Sequence, residues 1–238
     1  MTESIRALLP FIETHKLFRE HDFRLIGGTA LSYHLAHRIS EDLDFCTVSD
    51  LPVEAIAEFI SDCVSMFGEE NVDFIEPAQG VIDDFEIHGE RVEDYLQNWK
   101  IGNVRVTFFD GREGAGTREI LAENDFTMSG NIKIAGLPTI FKLKSLMFYK
   151  RSKSRDLFDM LAFYALDDPK FSPQETKRLI EQYEPAYCGK EGFVLWRHAY
   201  EHRPYDKYRD EGLHGLTMAP KSFHAMKKEV LGLFDRLS

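Results

Sequence analysis

The chain has 238 residues and a formal net charge of −11. No run of about eighteen apolar residues occurs, which excludes a membrane-spanning helix, and the start, MTESIRALLPFIETHK, lacks the basic and long apolar regions of a signal peptide. Three cysteines, Cys46, Cys63 and Cys188, odd in number and without C-x-x-C spacing, speak against a disulfide or zinc framework and suit a reducing cytoplasm.

In chain order, residues 3–20 read as an amphipathic helix. Phe23, Leu25 and Ile26 then read as a short strand broken by Gly27-Gly28, with a helix over 29–37. Two glycines let backbone N–H groups approach an anion, and a helix start adds positive partial charge. Thr29 adds a hydroxyl there, or serves as an ordinary N-cap. Residues 41–47 read as a second strand. Side chains alternate along a strand, so Asp42 and Asp44 share one face while Leu43 and Phe45 seek the core. Two carboxylates on one face repel unless a hard cation joins them, and Mg²⁺ typically takes one or two carboxylates plus substrate phosphates. The solvated alternative, a charged edge strand, conflicts with the burial that Leu43 and Phe45 require. A phosphate cradle beside a cation clamp is the equipment of phosphoryl or nucleotidyl transfer.

Further along, 52–67 reads as a helix; 72–75, 85–88, 104–109 and 132–135 as strands; and GREGAG at 111–116 as a turn. Pro138 suits the first turn of a helix. From there the chain reads as helices over 138–150, 154–166, 172–183, 190–202 and 220–236, with a loop over 203–219. Strands followed by helices predict an α/β (α+β) fold, with a mixed-sheet domain over 1–137 and a helical domain over 138–238.

The pattern GGT–helix–DxD, here GGTAL followed by HRISEDLDF, resembles the polymerase-β-like nucleotidyltransferase superfamily, and within it the AbiEii/AbiGii toxins of type IV toxin–antitoxin systems. A second block, KLKSL at 142–146 followed by RDLFD at 155–159, resembles the same branch. The resemblance implies a nucleotidyltransferase sheet with flanking helices, and a helical domain closing one side of the nucleotide cleft. It implies an NTP substrate, Mg²⁺ or Mn²⁺ held by Asp42 and Asp44, and phosphates at Gly27, Gly28, Thr29 and Lys142. It places Arg38 and Ser40 at the nucleotide, and Asp156 and Asp159 in the site wall. It also implies phage defence, a cognate antitoxin encoded nearby, and an acceptor at the 3′ end of tRNA.

Each residue also has a plain structural reading. Arg38 can pair with Asp42 or Glu41. Lys142 can lay its stem on an apolar helix and reach water, with Lys144 as the nearby competitor. Ser154 can cap a helix whose first turn holds Asp156, and Arg155 can pair with Asp159. His198 and His202 have helical ligand spacing without a third ligand. Relatives place a third acid where this chain has Thr107, which cannot act as a base near neutral pH. Asp110, three residues on, would need a bulge to reach that face, and Asp73 is more remote.

Charge divides unevenly, −15 over residues 1–137 and +4 over 138–238. The densest cationic cluster is Lys142, Lys144, Lys150, Arg151, Lys153 and Arg155. It offers either a surface that steers RNA or a solvated helix face. Two rival readings stay open: transfer to a small molecule or a protein, and an NTP-binding interaction protein without transfer.

Overall fold

The computed structural model describes residues 1–112, 114, 116–205 and 210–237. Parts of the expected 111–116 turn and 203–219 loop thus lie outside the described residues. The chain divides into two compact units, Met1–His34 with Ser40–Gly136, and Leu35–Ile39 with Leu137–Ser238.

The first unit is built on a seven-stranded mixed sheet. Its helices are α1 (Glu3–Thr14), α2 (Lys16–Glu20), α3 (starting at Gly27 and running to Leu35), α4 (Val53–Phe67), α5 (Gln79–Ile87) and α6 (Thr117–Ala122). Its strands are β1 (Arg24–Ile26), β2 (Asp42–Thr47), β3 (Val72–Phe74), β4 (Leu96–Ile101), β5 (Val104–Asp110), β6 (Phe126–Ser129) and β7 (Ile132–Ala135). The order is β3-β4-β5-β2-β1-β7-β6. Pairs β1–β7 and β2–β5 are parallel and the others antiparallel.

Strand β2 is therefore the middle strand, as its apolar Leu43 and Phe45 require. Both are fully buried. Phe45 packs at 4.6 Å from the ring of Phe18 on α2 and 5.7 Å from Phe108 on β5, and Phe59 of α4 closes the same cluster. The opposite face of β2 carries the two aspartates.

Several local readings change. The helix expected over 3–20 breaks at His15, whose Nδ1 accepts from the Leu17 N–H at 3.1 Å and so caps α2. The strand expected at 85–88 is instead the end of α5, closed by His88 Nδ1 lying 2.7 Å from the Asp84 carbonyl. No residue of α5 is buried, so its sequence lacks the apolar stripe that would mark a helix. Strands β4 and β6 had no strand signal. Gln97, Asn98 and Lys100 interrupt apolar alternation in β4, and β6 is short.

The second unit holds α7 (Leu137–Phe148), α8 (Ser154–Tyr164), α9 (Pro173–Tyr183), α10 (Gly189–His202) and α11 (Phe223–Phe234). Ser172 and Ser222 cap α9 and α11 by accepting backbone N–H bonds at 3.2 Å. Ser154 is not the cap of α8. It is the first helical residue, and its N–H donates to the Asp210 carboxylate at 3.0 Å. The unit's core is aromatic: Phe148 lies 4.7 Å from Tyr200, and Trp196 lies 5.0 Å from Phe234. Among the described residues no helix is long and apolar enough to cross a membrane.

Candidate active site

The site begins at the turn between β1 and α3. Gly27 has φ of +73°, a conformation that favours glycine. A Cβ built there would lie 2.6 Å from Asp44 Oδ2. The glycine is thus required twice, by backbone conformation and by the carboxylate seated against it. Gly28 follows in the first turn of α3, where helix N–H groups have no carbonyl four residues back.

Thr29 is not an N-cap. It lies inside α3, is buried, and donates its hydroxyl to the Asp42 backbone carbonyl. That bond ties the helix start to the first residue of β2. Ser40 is buried just before β2, and its carbonyl accepts from the Thr2 N–H at 3.3 Å.

Asp42 and Asp44 are both half-buried on one face of β2. In the parallel register with β5, Asp42 stands beside Arg105 and Asp44 beside Thr107. Together they can present carboxylate oxygens to one divalent cation, with the side-chain-free Gly27 leaving room at Asp44. Among the described residues no group of three His, Cys, Asp or Glu side chains is placed to hold a metal. Mg²⁺ typically takes one or two carboxylates and completes its shell with substrate phosphates and water, and two acids on one face of β2 are a donor set of that kind.

The slot for a third acid is occupied by other chemistry. The Thr107 hydroxyl donates to Asn98 Oδ1 at 3.0 Å, and Arg105 Nη2 donates to the same oxygen at 3.0 Å. Asp110 does not fill the slot. The β2–β5 register runs without a bulge to Thr47 and Asp110, which places Asp110 at the far end of the strand. There it accepts from the Arg112 N–H at 2.8 Å and from Arg112 Nε at 2.7 Å. Asp73 stands across from Lys100 on β3, near the sheet edge.

In the second unit, Arg38 meets Asp159 of α8. Its fork clamps Asp159, Nε to Oδ1 at 2.7 Å and Nη2 to Oδ2 at 3.0 Å. His37 Nε2 lies 2.7 Å from the same Oδ1, and Lys144 Nζ lies 2.8 Å from Oδ2. Burial pushes the Asp159 carboxyl up, but Lys144, His37 and Arg38 outweigh it and hold it far below the usual carboxylate range. Asp156 is likewise pushed up by burial and pulled lower overall by Lys144 and Arg151. Lys144 is pushed down by burial and raised overall by both aspartates.

These bonds make Asp156, Asp159 and Lys144 a buried ionic network. Lys144 is committed to it, and Lys142 is half-buried on α7. The expected Arg155–Asp159 pair gives way to Arg155 Nη1 with Glu211 at 2.9 Å. His198 and His202 stack at 4.1 Å on an exposed face, and Trp196 and Tyr200 are core residues.

Residues 14–233 match the family model for the nucleotidyl transferase AbiEii toxin of type IV toxin–antitoxin systems. The chain belongs to the AbiEii family. It is a nucleotidyltransferase of the toxin–antitoxin kind. Among solved structures, JHP933 from Helicobacter pylori is similar with a TM-score of 0.51 at 15% identity, over 100% of this chain and 93% of that one. That likeness shows a shared fold. A nucleotidyltransferase described from H. pylori has a TM-score of 0.47 at 14% identity, over 100% of this chain and 99% of that one. MenT4, a nucleotidyltransferase toxin of Mycobacterium tuberculosis, has a TM-score of 0.47 at 15% identity, over 91% of this chain and 75% of that one. No curated protein matches the chain.

Sequence reasoning missed Asn98, which organises the third-acid slot, and Arg105, which stands beside Asp42. A strand reading of 96–101 would have found both, because pairing with β5 then follows from the short turn at 102–103.

Proposed function

We propose that this AbiEii family member transfers a nucleotide from an NTP to an acceptor hydroxyl at the face of β2 that carries Asp42 and Asp44. The observation that carries the reading is the seating of the Asp44 carboxylate against Gly27. It brings the glycine turn and one acid of the pair into contact.

Backbone N–H groups of the Gly27–Thr29 turn receive phosphate oxygens. Thr29 acts through its bond to the Asp42 carbonyl, fixing the turn to the strand. Asp42 and Asp44 hold Mg²⁺ or Mn²⁺, which when bound supplies Lewis-acid polarisation of the α-phosphate and charge for the leaving pyrophosphate. Lys142 neutralises the triphosphate as a point charge. Arg38 and Ser40 serve by shaping the segment before β2, and Asp156 and Asp159 by holding Arg38 and Lys144. The acceptor oxygen attacks the α-phosphorus, and its proton passes to solvent or substrate, since Thr107 is no base at neutral pH.

For the acceptor we take tRNA, through the basic helical half, in a cytoplasmic toxin with a cognate antitoxin and a role in phage defence. Within the cationic cluster of the helical half, the candidates for RNA contact narrow to Lys150 and Lys153, because Lys144, Arg151 and Arg155 are engaged by Asp159, Asp156 and Glu211. Incubating the protein with each labelled NTP, Mg²⁺, total RNA and total protein tests this. Label in RNA is expected. Label in protein or in a small product instead would contradict the acceptor, and label nowhere would contradict transfer.

A further inference from the structure

A groove of about 440 Å³ opens beside Asp42, lined by Glu41, Asp42, Lys100, Asn103 and Arg105, with Thr2 and Ser4 at its rim. Strand register explains its charge. Asp42 on β2, Arg105 on β5, Lys100 on β4 and Asp73 on β3 stand in one row across the sheet. Side chains in register share a face, so two adjacent cations lie next to the first aspartate of the pair.

Two features separate these cations from ordinary solvated ones. The Arg105 guanidinium is oriented, because Nη2 donates to Oδ1 of the buried Asn98 at 3.0 Å. Among the described residues neither Arg105 nor Lys100 joins an ion pair, although a carboxylate stands at each end of the row. A guanidinium fork and an ammonium side by side suit the oxygens of a phosphate.

We infer that Arg105 and Lys100 form a phosphate subsite next to the acid pair, a statement that rests on the transferase reading for what the phosphate belongs to. The glycine turn follows β1, on one flank of β2, whereas Arg105 and Lys100 lie on β5 and β4, on the other. With the nucleotide's phosphates at the glycine turn, the phosphate in this groove belongs to the acceptor. The acceptor then carries a phosphate, as the RNA taken above does. A cationic small molecule would be repelled by the two cations rather than held by them.

The test reads binding rather than turnover, so it stands even if the wild-type protein transfers nothing. Arg105→Gln, Lys100→Gln and the double variant are titrated with a fluorescent single-stranded RNA oligonucleotide across a salt series, and separately with Mg²⁺-NTP. Both positions are exposed, and thermal melts confirm the fold of each variant. The double variant should bind the oligonucleotide about tenfold more weakly at low salt, and its log–log salt slope should fall by roughly 0.7 for each phosphate that is no longer neutralised. NTP affinity should stay within about twofold, because the glycine turn lies on the other flank of β2. Oligonucleotide affinity and slope equal to the parent's would overturn the subsite. A loss confined to the NTP would overturn its assignment to the acceptor and return the groove to the nucleotide.

Discussion

Thr107 stands in register with Asp44 and turns its hydroxyl to Asn98, so the place where the family resemblance implies a third acid holds a hydrogen bond instead. General-base help is worth typically about 10² to 10⁴-fold, and the wild-type chain should transfer slowly by that margin. Thr107→Asp should raise the single-turnover rate at saturating NTP. The substitution is tolerable because the Asn98 amide can rotate to donate to the new carboxylate. A variant that binds Mg²⁺ more tightly yet transfers no faster would sink the idea, as would a wild-type rate equal to that of relatives with Asp in this slot. The same residue scale shows what a sequence can reveal. Gly27, Asp42 and Asp44 are legible because backbone freedom and strand alternation are local properties. The partners of Asp159 are not, since His37 and Arg38 reach it from more than a hundred residues away.

At the scale of elements, α8 is held by charge. Asp159 is fully buried among Arg38, His37 and Lys144, and Asp156 is buried beside Lys144 and Arg151. Removing one partner of a buried pair leaves the others uncompensated, at a cost of roughly 3 to 5 kcal/mol. Asp159→Asn should lower stability by that order at pH 7 in urea unfolding. Both carboxyls are held below the unfolded value of about 3.9. Their contribution is therefore complete above about pH 4 and is lost as pH falls through the folded values. The gap between wild type and Asp159→Asn should narrow below pH 4, and a gap that widened there would contradict the network. Elements were legible where burial patterns them. Strand β2 and helix α4 each carry a clear apolar face. Helix α5 buries nothing, and β4 carries Gln97, Asn98 and Lys100, so neither announces its period.

At the scale of the whole molecule, an acidic first part and a basic second part leave open where a polyanion lands. If the helical half carries the RNA, Lys150→Glu with Lys153→Glu should weaken RNA binding and flatten its salt dependence, while NTP affinity holds. Substituting Arg151 instead should lower stability, because its guanidinium is bound to Asp156 at 2.7 Å. RNA affinity unchanged by the double reversal would move the RNA off this face. The central claim is that Asp42 and Asp44 carry the chemistry, and the most direct measurement is labelled nucleotide transfer by the Asp42→Asn, Asp44→Asn double variant. Asn keeps the size and removes the charge, so transfer should fall by at least about 10² to 10³-fold, the loss that follows removal of one preorganised electrostatic element. Melting temperature should be unchanged or slightly raised as repulsion between the carboxylates is relieved. A folded double variant that transfers nucleotide at the parent rate would contradict the account.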